Sequence, residues 1–395
     1  MVQEKLVSSE KTMNDNNVYH DELIVPKIRF SEFIDSWEKI TLNDIATFSK
    51  GKGISKNDIS DKGTPCIRYG ELYTKYNYLI SNIDSKTDLD KSELIFSEKN
   101  DILMPCSGET AIDLASASCV TRENVAIGGD ITVIRTNQYS PFITYCINFK
   151  KNEIAKFAQG VSIVHLYAKD FKDITLKIPK IEEQKKIVDF LEKIDKKIEL
   201  LEKKLVLCRE LELTIKNKIF NNETKNSFIK LNEICSIKKG KQLNKSDMIE
   251  NGKYYVLNGG KEPSGYTNSW NVKENTITIS EGGNSCGYVS FNSEKFYCGG
   301  HCYYLTFKTT DFDLNYLFHY LKYIEPKIMR LRVGSGLPNI QKGDVENINI
   351  LKKEFGKQKE IGDFLESINI KISLILREKE ELELFKKGLL QKMFI

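Results

Sequence analysis

The sequence QKKIVDFLE at Gln184–Glu192 recurs 174 residues later, with two substitutions, as QKEIGDFLE at Gln358–Glu366. Further pairs at the same separation are Gly160 and Gly334, Leu166 and Ile340, Lys218 and Lys392, and Phe220 and Phe394. Self-similarity at a fixed separation is the mark of an internal repeat. The second half of the chain therefore repeats the first.

The beginnings of the two halves match at a different separation. Leu42–Ile45 (LNDI) recurs as Leu231–Ile234 (LNEI), 189 residues later, and the Lys-Gly-Lys at Lys50–Lys52 recurs at Lys239–Lys241. The first half carries about 15 additional residues after Gly70, which explains the shorter separation further on. The order predicted is a tail, a globular unit, a long helix, a second globular unit and a second long helix.

Both long helices are predicted from an apolar stripe with a mean step of about 3.5 to 3.6 residues, the period of a seam shared by two helices. The first stripe runs from Ile187 to Ile219, and its copy runs from Ile361 to Met393 with Lys379 as the one polar member. At 1.5 Å per residue each helix spans roughly 58 Å, too long for one small domain to cover. We expect the two helices to pair with each other, although separate packing of each on its own domain is the alternative.

The globular units read as mixed α and β structure. Short segments rich in Ile, Val, Tyr and Thr, separated by Gly, Asn and Ser, predict strands. These segments are Thr64–Tyr69, Asp101–Pro105, Ile131–Arg135, Tyr254–Leu257, Thr276–Ser280 and Tyr303–Phe307. Shorter helices are predicted at Phe142–Gln159 and Leu314–Arg332. The fold class is α+β, with two mixed α/β domains related by duplication and separated by two long helices that form an antiparallel coiled coil.

These patterns set the predicted domain boundaries. Residues 1–25 form a flexible tail, residues 26–180 the first globular domain, and residues 181–222 the central long helix. Residues 223–354 form the second globular domain, and residues 355–395 the C-terminal long helix.

Composition narrows the class of protein. The 395 residues include 59 basic and 55 acidic side chains, so the formal net charge of +4 requires any basic surface to be local. A 40% hydrophobic and 29% charged composition is typical of a folded globular protein. There is no run of 18 apolar residues, Met1–Glu22 lacks a hydrophobic signal region, and nine scattered cysteines indicate reduced thiols. We expect a cytoplasmic protein without a membrane segment.

The motifs of common enzymes are missing. There is no Gly-Lys-Ser/Thr phosphate loop, no His-Glu-x-x-His, and no Asp/Asn-Pro-Pro-aromatic stretch of an amino-methyltransferase. Cys286, Cys298, His301 and Cys302 suggest zinc, but isoleucines Ile127 and Ile131 stand at the repeat positions of Cys298 and Cys302. Apolar strand positions suit cysteine as a small hydrophobe. The sequence therefore predicts no catalytic residue, no metal site and no cofactor bound by this chain.

The positive signal is basic loops that recur in both halves. Lysines flank glycines at Lys50, Lys52 and Lys56 in the first half and at Lys238, Lys239, Lys241 and Lys245 in the second. Lysines on flexible backbone suit phosphate contacts, which supply affinity without sequence information. Ordinary solvated lysines are the alternative for any single position.

Polar loops that differ between the halves are the candidates for reading bases. Arg68-Tyr69-Gly70-Glu71 with Tyr73 stands opposite Asn258-Gly259-Gly260-Lys261. A third loop pairs Ser107, Glu109 and Thr110 with Asn284, and a fourth pairs Ser162 and His165 with Ser335 and Asn339. Side chains of these types make donor and acceptor contacts with base edges. Burial of the tyrosines in a sheet, and a capping role for His165, remain alternatives.

In the order of its features, the chain resembles the specificity subunits of type I restriction–modification systems from about Pro26 to Ile395. The features are Pro26–Phe30 and Trp37 ahead of Leu42–Ile45, the Gly-x-Ser-x-x-x-Leu stretch at Gly160, and the approach to the long helix from Pro179 to Leu191. No single motif is diagnostic, but the order of most of them, twice, is specific. In the second copy, Lys353 replaces the proline and the Pro26–Phe30 lead has no counterpart.

The resemblance implies a non-catalytic subunit whose two target recognition domains each read one half of a split, asymmetric sequence in double-stranded DNA. The helices would set the gap between the half-sites. Two methyltransferase subunits that bind S-adenosylmethionine, and two motor–nuclease subunits that use ATP and Mg²⁺, would complete a complex acting as an adenine methyltransferase and endonuclease. Two alternatives stay open: a specificity subunit of another restriction class with a fused methyltransferase–nuclease partner, and a coiled-coil scaffold that binds protein or sugar.

Overall fold

The computed structural model describes residues 6–8, 23–160, 163–221, 227–334, 336 and 338–395. The chain divides into two compact units. Unit 1 comprises Met1–Glu199 and Glu380–Ile395, and unit 2 comprises Leu200–Lys379. Among the described residues, none of the helices is apolar over a stretch that would cross a lipid bilayer.

Unit 1 contains fifteen strands among its described residues. They are β1 (Leu6–Ser8), β2 (Ile28–Phe30), β3 (Glu38–Thr41), β4 (Ala46–Lys50), β5 (Ile59–Ser60), β6 (Thr64–Ile67), β7 (Leu79–Ile80), β8 (Lys86–Thr87), β9 (Asp101–Pro105), β10 (Ser107–Gly108), β11 (Ser118–Val120), β12 (Ala126–Ile127), β13 (Ile131–Thr136), β14 (Val164–His165) and β15 (Thr175–Ile178). Most of the predicted tail lies outside the described residues, and β1 within it pairs with β2.

The helices of unit 1 are short apart from the long one that begins there. They are α1 (Leu42–Ile45), α2 (Glu71–Thr74), α3 (Ala111–Leu114), α4 (Ser140–Phe149), α5 (Lys151–Ile154), α6 (Ala168–Phe171) and α7 (Ile181–Phe220). Single 3₁₀ turns lie at Lys56–Asp58, Lys91–Glu93 and Ala155–Phe157.

Unit 2 has nine strands and five further helices among its described residues. The strands are β16 (Phe228–Lys230), β17 (Cys235–Lys239), β18 (Tyr254–Leu257), β19 (Gly265–Thr267), β20 (Thr276–Ser280), β21 (Val289–Asn292), β22 (Tyr297–Cys298), β23 (Cys302–Phe307) and β24 (Asn349–Leu351). The helices are α8 (Leu231–Ile234), α9 (Leu314–Tyr323), α10 (Glu325–Met329), α11 (Lys342–Glu346) and α12 (Phe355–Met393), with a 3₁₀ turn at Lys245–Asp247.

The two units share a core topology, to which unit 1 adds β7 and β5, and this confirms the duplication. The main sheet of unit 1 has the order β4-β13-β9-β11-β7, and that of unit 2 has the order β17-β23-β20-β21. The second sheets correspond likewise: β12-β6-β8 of unit 1, extended by β5, matches β22-β18-β19 of unit 2. In both units the second sheet contains a parallel pair, β12 with β6 and β22 with β18.

The core of unit 1 has three layers because β9 is buried on both faces. Ile102 and Met104 of β9 pack in one apolar cluster with Phe142 and Ile143 of α4. Leu103 lies between them in the chain and points the opposite way, since side chains alternate along a strand, into the cluster that holds Ile67 of the second sheet. A helix layer and two sheet layers result.

All six predicted strands are present, with ends shifted by at most two residues. The two shorter helices differ from prediction, because each is broken in two. Helix α9 ends at Tyr323 and α10 begins at Glu325 with Pro326 in its first turn. Proline lacks the N–H that a continuous helix would need there. In unit 1 the break falls at Lys150, between α4 and α5.

The long helices run antiparallel where they pair inside each unit. In unit 2, Ile215 and Ile219 of α7 share an apolar cluster with Ile361 and Leu365, near the start of α12. Further along α12, Lys379 pairs with Glu202, near the other end of the α7 segment, at 3.3 Å. The lysine that interrupts the apolar stripe is thus accommodated by an ion pair.

The last turns of α12 belong to unit 1. Leu389 and Met393 lie in the apolar cluster that also contains Leu191 and Ile194 of α7. The ring of Phe394 stacks on that of Phe142, with centroids 5.5 Å apart. The chain's final residues therefore help to build the core of unit 1.

Candidate nucleic-acid interface

The lysine loops of the two units are built by the same backbone contacts. The N–H groups of Gly51 and Lys52 donate to the carbonyls of Ile131 (3.1 Å) and Ile127 (3.0 Å). In unit 2 the N–H groups of Gly240 and Lys241 donate to the carbonyls of Cys302 and Cys298, both at 2.9 Å. The two loops therefore have equivalent backbone hydrogen bonds, and their lysines occupy equivalent positions.

Glycine is required at both loops by close packing. A Cβ atom at Gly51 would lie 2.1 Å from the carbonyl oxygen of Gly128, and one at Gly240 would lie 2.2 Å from that of Gly299. Carbon and oxygen cannot approach that closely without movement of the backbone. The recurrence of glycine at this point thus has a structural cause, independent of any ligand.

The lysines themselves are exposed. This holds for Lys50, Lys52, Lys56, Lys238, Lys239, Lys241 and Lys245. Two of them have partners within the protein: the ammonium of Lys50 lies 4.6 Å from the ring centroid of Tyr167, and that of Lys239 lies 2.5 Å from the carboxylate of Glu281. The basic loops are therefore accessible in both units, with Glu281 offsetting one charge in unit 2.

Arg68 and Asn258 occupy equivalent positions, each directly after the strand that forms the parallel pair. Ile67 accepts a hydrogen bond from Gly128, and Leu257 accepts the corresponding one from Gly299. The Nε of Arg68 lies 3.9 Å from the Glu71 carboxylate, beyond hydrogen-bonding distance. The side-chain oxygen of Asn258 accepts from the N–H of His301 at 3.3 Å.

Glu71 is buried and engaged inside unit 1. Its side chain is 9% exposed, and its carboxylate accepts hydrogen bonds from the N–H of Arg68 (2.9 Å) and the hydroxyl of Ser85 (2.5 Å). Lys75 lies 3.6 Å from the same carboxylate. This geometry supports a role for Glu71 in positioning the Arg68 turn.

The two tyrosines of this loop are placed differently. Tyr69 is 38% exposed, whereas Tyr73 is half-buried, and its hydroxyl lies close to Gly70 and Gly108. Burial raises the pKa of Tyr73, with smaller contributions from Tyr69, Asp113 and Glu109. Tyr73 therefore links the second candidate loop to the third.

The third and fourth loops of unit 1 meet. Ser107 and His165 face each other in an antiparallel pair of strands, and the Ser107 hydroxyl lies 3.0 Å from Nδ1 of His165. The His165 ring stacks on Tyr167 with centroids 6.0 Å apart. The ammonium of Lys50 lies over the ring of Tyr167. Ser107, His165, Tyr167 and Lys50 thus form a continuous cluster, which we call the Lys50–His165 cluster.

The remaining members of these loops have simpler surroundings. Glu109 is exposed, and Thr110 is the N-cap of α3, where its hydroxyl accepts from the N–H of Asp113 at 3.2 Å. Ser162 and Ser335 lie outside the described residues. The cap gives Thr110 a structural role that the sequence did not indicate.

Unit 2 repeats the meeting of the loops with other side chains. The backbone of Asn339 forms β-bridges with Gly282 and Val333. In unit 1 the backbone of His165 pairs in the same way with Ser107 and Gln159. The side-chain oxygen of Asn339 accepts from Gln341 at 3.0 Å. Asn284 is exposed, and the ammonium of Lys261 lies 5.5 Å from the ring centroid of Tyr288. The equivalence of His165 and Asn339 is thus confirmed.

Two residues of these surfaces, Tyr167 and Glu281, were not among the predicted site residues. Tyr167 joins Lys50 to His165, and Glu281 joins Lys239 to the Tyr303 hydroxyl at 3.1 Å, with Nδ1 of His301 3.8 Å away. The repeat places Gln341 at the position of Tyr167. A systematic search for differing polar residues at matched positions would have found that pair.

The cysteine cluster considered for zinc is divided between two cores. Cys298 and Cys302 are buried in an apolar cluster with Leu257 and Phe296, whereas Cys286 packs in the helix-side core of the same unit. Burial raises the pKa of the Cys286 thiol. Among the described residues the cysteines are free thiols, and these three act as small apolar side chains.

Comparison with known sequences finds the same family twice along the chain. The family model described as type I restriction modification DNA specificity domain matches residues 34–207 and again residues 223–384. A Mycoplasma pneumoniae protein named as a type I specificity subunit is 35% identical over 144 residues, which are 36% of this chain and only 38% of that relative. The MjaVIII specificity subunit of Methanocaldococcus jannaschii is 23% identical over 90% of this chain and 91% of its own length.

Solved structures show the same fold. The crystal structure of a type I restriction–modification S subunit from M. genitalium superposes with a TM-score of 0.72, over 94% of this chain and 99% of that chain, at 20% sequence identity. The duplicated mixed α/β architecture and the long helices are therefore those of a known fold.

Proposed function

This chain belongs to the type I restriction–modification DNA specificity family, and from that membership we propose that it reads a split sequence in double-stranded DNA through the matched loops of units 1 and 2. Each unit would recognise one half-site. The function would be recognition and not chemistry.

One observation supports the proposal above all others. Backbone positions that are equivalent in the two units carry different polar side chains, and exposed lysines lie on neighbouring loops. Arg68 and Asn258 follow equivalent strands, and the loops at Gly51 and Gly240 are anchored by the same backbone contacts. Arginine pairs well with guanine and asparagine with adenine, while lysines contact phosphates of any sequence. Two such units suit an asymmetric target.

The catalytic steps would belong to partner subunits. We propose two methyltransferase subunits that bind S-adenosylmethionine and two motor–nuclease subunits that use ATP and Mg²⁺, acting with this chain in the cytoplasm. Support comes from the family and from the absence of catalytic motifs in the sequence. A partner with fused methyltransferase and nuclease is the alternative, and neighbouring genes for separate subunits would exclude it.

Salt dependence tests DNA binding directly. Duplex DNA titrated at several salt concentrations should bind with a log–log slope of about −0.9 per phosphate contact, because each contact releases counterions. A scaffold for protein or sugar would show no such slope. The measurement is fluorescence anisotropy of a labelled duplex with the full chain, assembled with its methyltransferase partners where these are needed for stability.

A charge-reversed loop tests which lysines are responsible. The variant Lys50→Glu, Lys52→Glu and Lys56→Glu should weaken binding to all sequences alike and reduce the slope by up to roughly 2.7. The matched control reverses three exposed lysines of unit 1 outside the glycine loops, Lys62, Lys91 and Lys99. An equal loss in both variants would show that only overall charge matters.

A further inference from the structure

Among the described residues, the start of α12 forms an open groove in unit 2. The groove has a volume of about 430 Å³ and is lined by Ile219, Lys357, Glu360, Ile361 and Phe364, among others. The Phe364 ring is 50% exposed. Exposed apolar surface in a groove is a feature of interaction sites.

Unit 1 shows how the same place is filled. The repeat aligns Phe364 with Phe190, Lys357 with Glu183, and Glu360 with Lys186. In unit 1, Phe30 of the extended segment β2 packs edge-on against Phe190, with centroids 5.8 Å apart. The lead segment of the chain is thus the occupant of this position in unit 1.

Two ion pairs fix the lead segment. Arg29 donates to both carboxylate oxygens of Glu183 at 2.7 Å, and Lys186 lies 2.7 Å from the carboxylate of Glu32. Glu183 is 2% exposed, so its pairing with Arg29 is shielded from solvent. The lead segment is therefore held by the contact of Phe30 with Phe190 and by one ion pair on each side of it, Arg29 with Glu183 and Glu32 with Lys186.

In unit 2 both charges are inverted. Lys357 stands where Glu183 stands in unit 1, and Glu360 stands where Lys186 stands. The two contact each other at 2.7 Å and are 54% and 69% exposed. An exposed pair of this kind contributes little to stability, so either side chain can exchange it for a partner. The lead segment itself would place Arg29 against Lys357, so a second copy of this chain is disfavoured.

We propose that this groove binds an extended segment of a partner protein in which an acidic residue directly precedes an aromatic one and a basic residue follows two positions later. The aromatic ring packs on Phe364, the acidic group pairs with Lys357, and the basic group pairs with Glu360. The inference concerns protein binding and stands whether or not the chain reads DNA.

Two peptides test the proposal on the full chain. The first is residues 26–37 of this protein, labelled with a fluorophore, and the second is the same peptide with Arg29→Glu and Glu32→Lys. Anisotropy titrations should show the charge-reversed peptide binding at least about tenfold more tightly, which corresponds to about 1.4 kcal/mol. Equal binding of the two peptides, or no binding of either, would overturn the proposal.

Reciprocal variants of the groove sharpen the test. Lys357→Glu combined with Glu360→Lys should reverse the preference toward the unchanged peptide, and Phe364→Ala should weaken both. All three side chains are exposed, so the melting temperature should not change. If the wild-type chain instead self-associates through Phe364, the groove is an interface between copies and the partner assignment is wrong.

Discussion

Arg68 and Asn258 show how one backbone arrangement can present two different polar side chains. Each follows a strand whose last carbonyl accepts a hydrogen bond from the N–H of a glycine, Gly128 in unit 1 and Gly299 in unit 2. The position is set by the backbone, so the side chain can change without loss of the fold. Divergence at a fixed position is what two readers of different sequences require.

Replacing either residue should therefore affect one half-site alone. Arg68→Ala or Asn258→Ala should cost about 1–3 kcal/mol for the base that the side chain contacts and leave the other half-site unchanged. The measurement is competition binding with duplexes varied one base pair at a time. Arg122→Ala, at an exposed arginine of unit 1, serves as the control, and loss at both half-sites would mean a structural role.

Sequence reasoning located the candidate loops but not the state of each side chain in them. Residue type and recurrence placed Lys50, His165 and Asn339 on loops that the structure brings to exposed or half-buried positions. They could not reveal that Glu71 is buried or that Thr110 caps a helix. Such roles depend on tertiary neighbours, which no local pattern encodes.

At the scale of elements, the long helices meet the globular units through polar side chains that differ between the copies. In unit 1, the Tyr145 hydroxyl donates to Asp195 at 2.6 Å, and Lys386 pairs with the same carboxylate. In unit 2, the repeat position of Tyr145 is His319, which contacts Glu366 at 3.1 Å. The periodicity predicted both helices, but the choice of polar partners depends on the packing of α4 and α9 against them.

His319 makes the stability of unit 2 depend on pH. It is 1% exposed, and burial, followed by the charge of Lys216, lowers its pKa to about 3. The Nε2–H donates to Glu366 in the neutral form, while Nδ1 is buried without a hydrogen-bond partner. The folded state therefore holds this imidazole unprotonated at neutral pH.

Acidification should destabilise unit 2 through this residue. In the unfolded chain His319 becomes protonated below about pH 6.5. In the folded chain it stays neutral until the pH falls to about 3. The contribution of His319 is complete above pH 6.5 and falls by up to about 1.4 kcal/mol per pH unit below it. Urea unfolding between pH 7.5 and 4.5 measures the slope.

The variant His319→Phe isolates this contribution. Phenylalanine keeps an aromatic ring in the site but has no proton to bind, so its unfolding free energy should vary less steeply with pH than that of the wild type. The comparison at pH 7.5 gives the cost of the lost contact with Glu366. Identical slopes for the two proteins would assign the acid sensitivity to the carboxylates.

For the whole molecule, the duplication explains why the fold could be derived from one chain. Matching the two copies gives the same kind of information as a small alignment. Ile127 and Ile131 stand at the repeat positions of Cys298 and Cys302, which predicted that the cysteines occupy core positions. The structure places both cysteines in an apolar cluster. The breaks at Lys150 and near Pro326 were not foreseen, because an apolar period continues through them. Helix ends depend on backbone details that periodicity averages out.

Each of the two long helices continues from one unit into the other. Helix α7 leaves unit 1 at Glu199, and α12 leaves unit 2 at Lys379. If the helices set the gap between half-sites, seven residues added to both, after Glu199 and after Lys379, would lengthen the pair by roughly 10.5 Å and preserve the apolar stripe. At about 3.4 Å per base pair, the preferred gap should grow by up to about three base pairs.

Selection from duplexes with randomised gap lengths measures this change. The control inserts the same seven residues in the exposed loop after Asp61 of unit 1, which leaves both helices intact and should leave the gap as in the wild type. Because DNA also rotates along its axis, by one turn in about 10.5 base pairs, binding should weaken while the preferred gap shifts. A preferred gap that stays the same in the helix variant would mean that the DNA, and not the helix pair, determines the spacing.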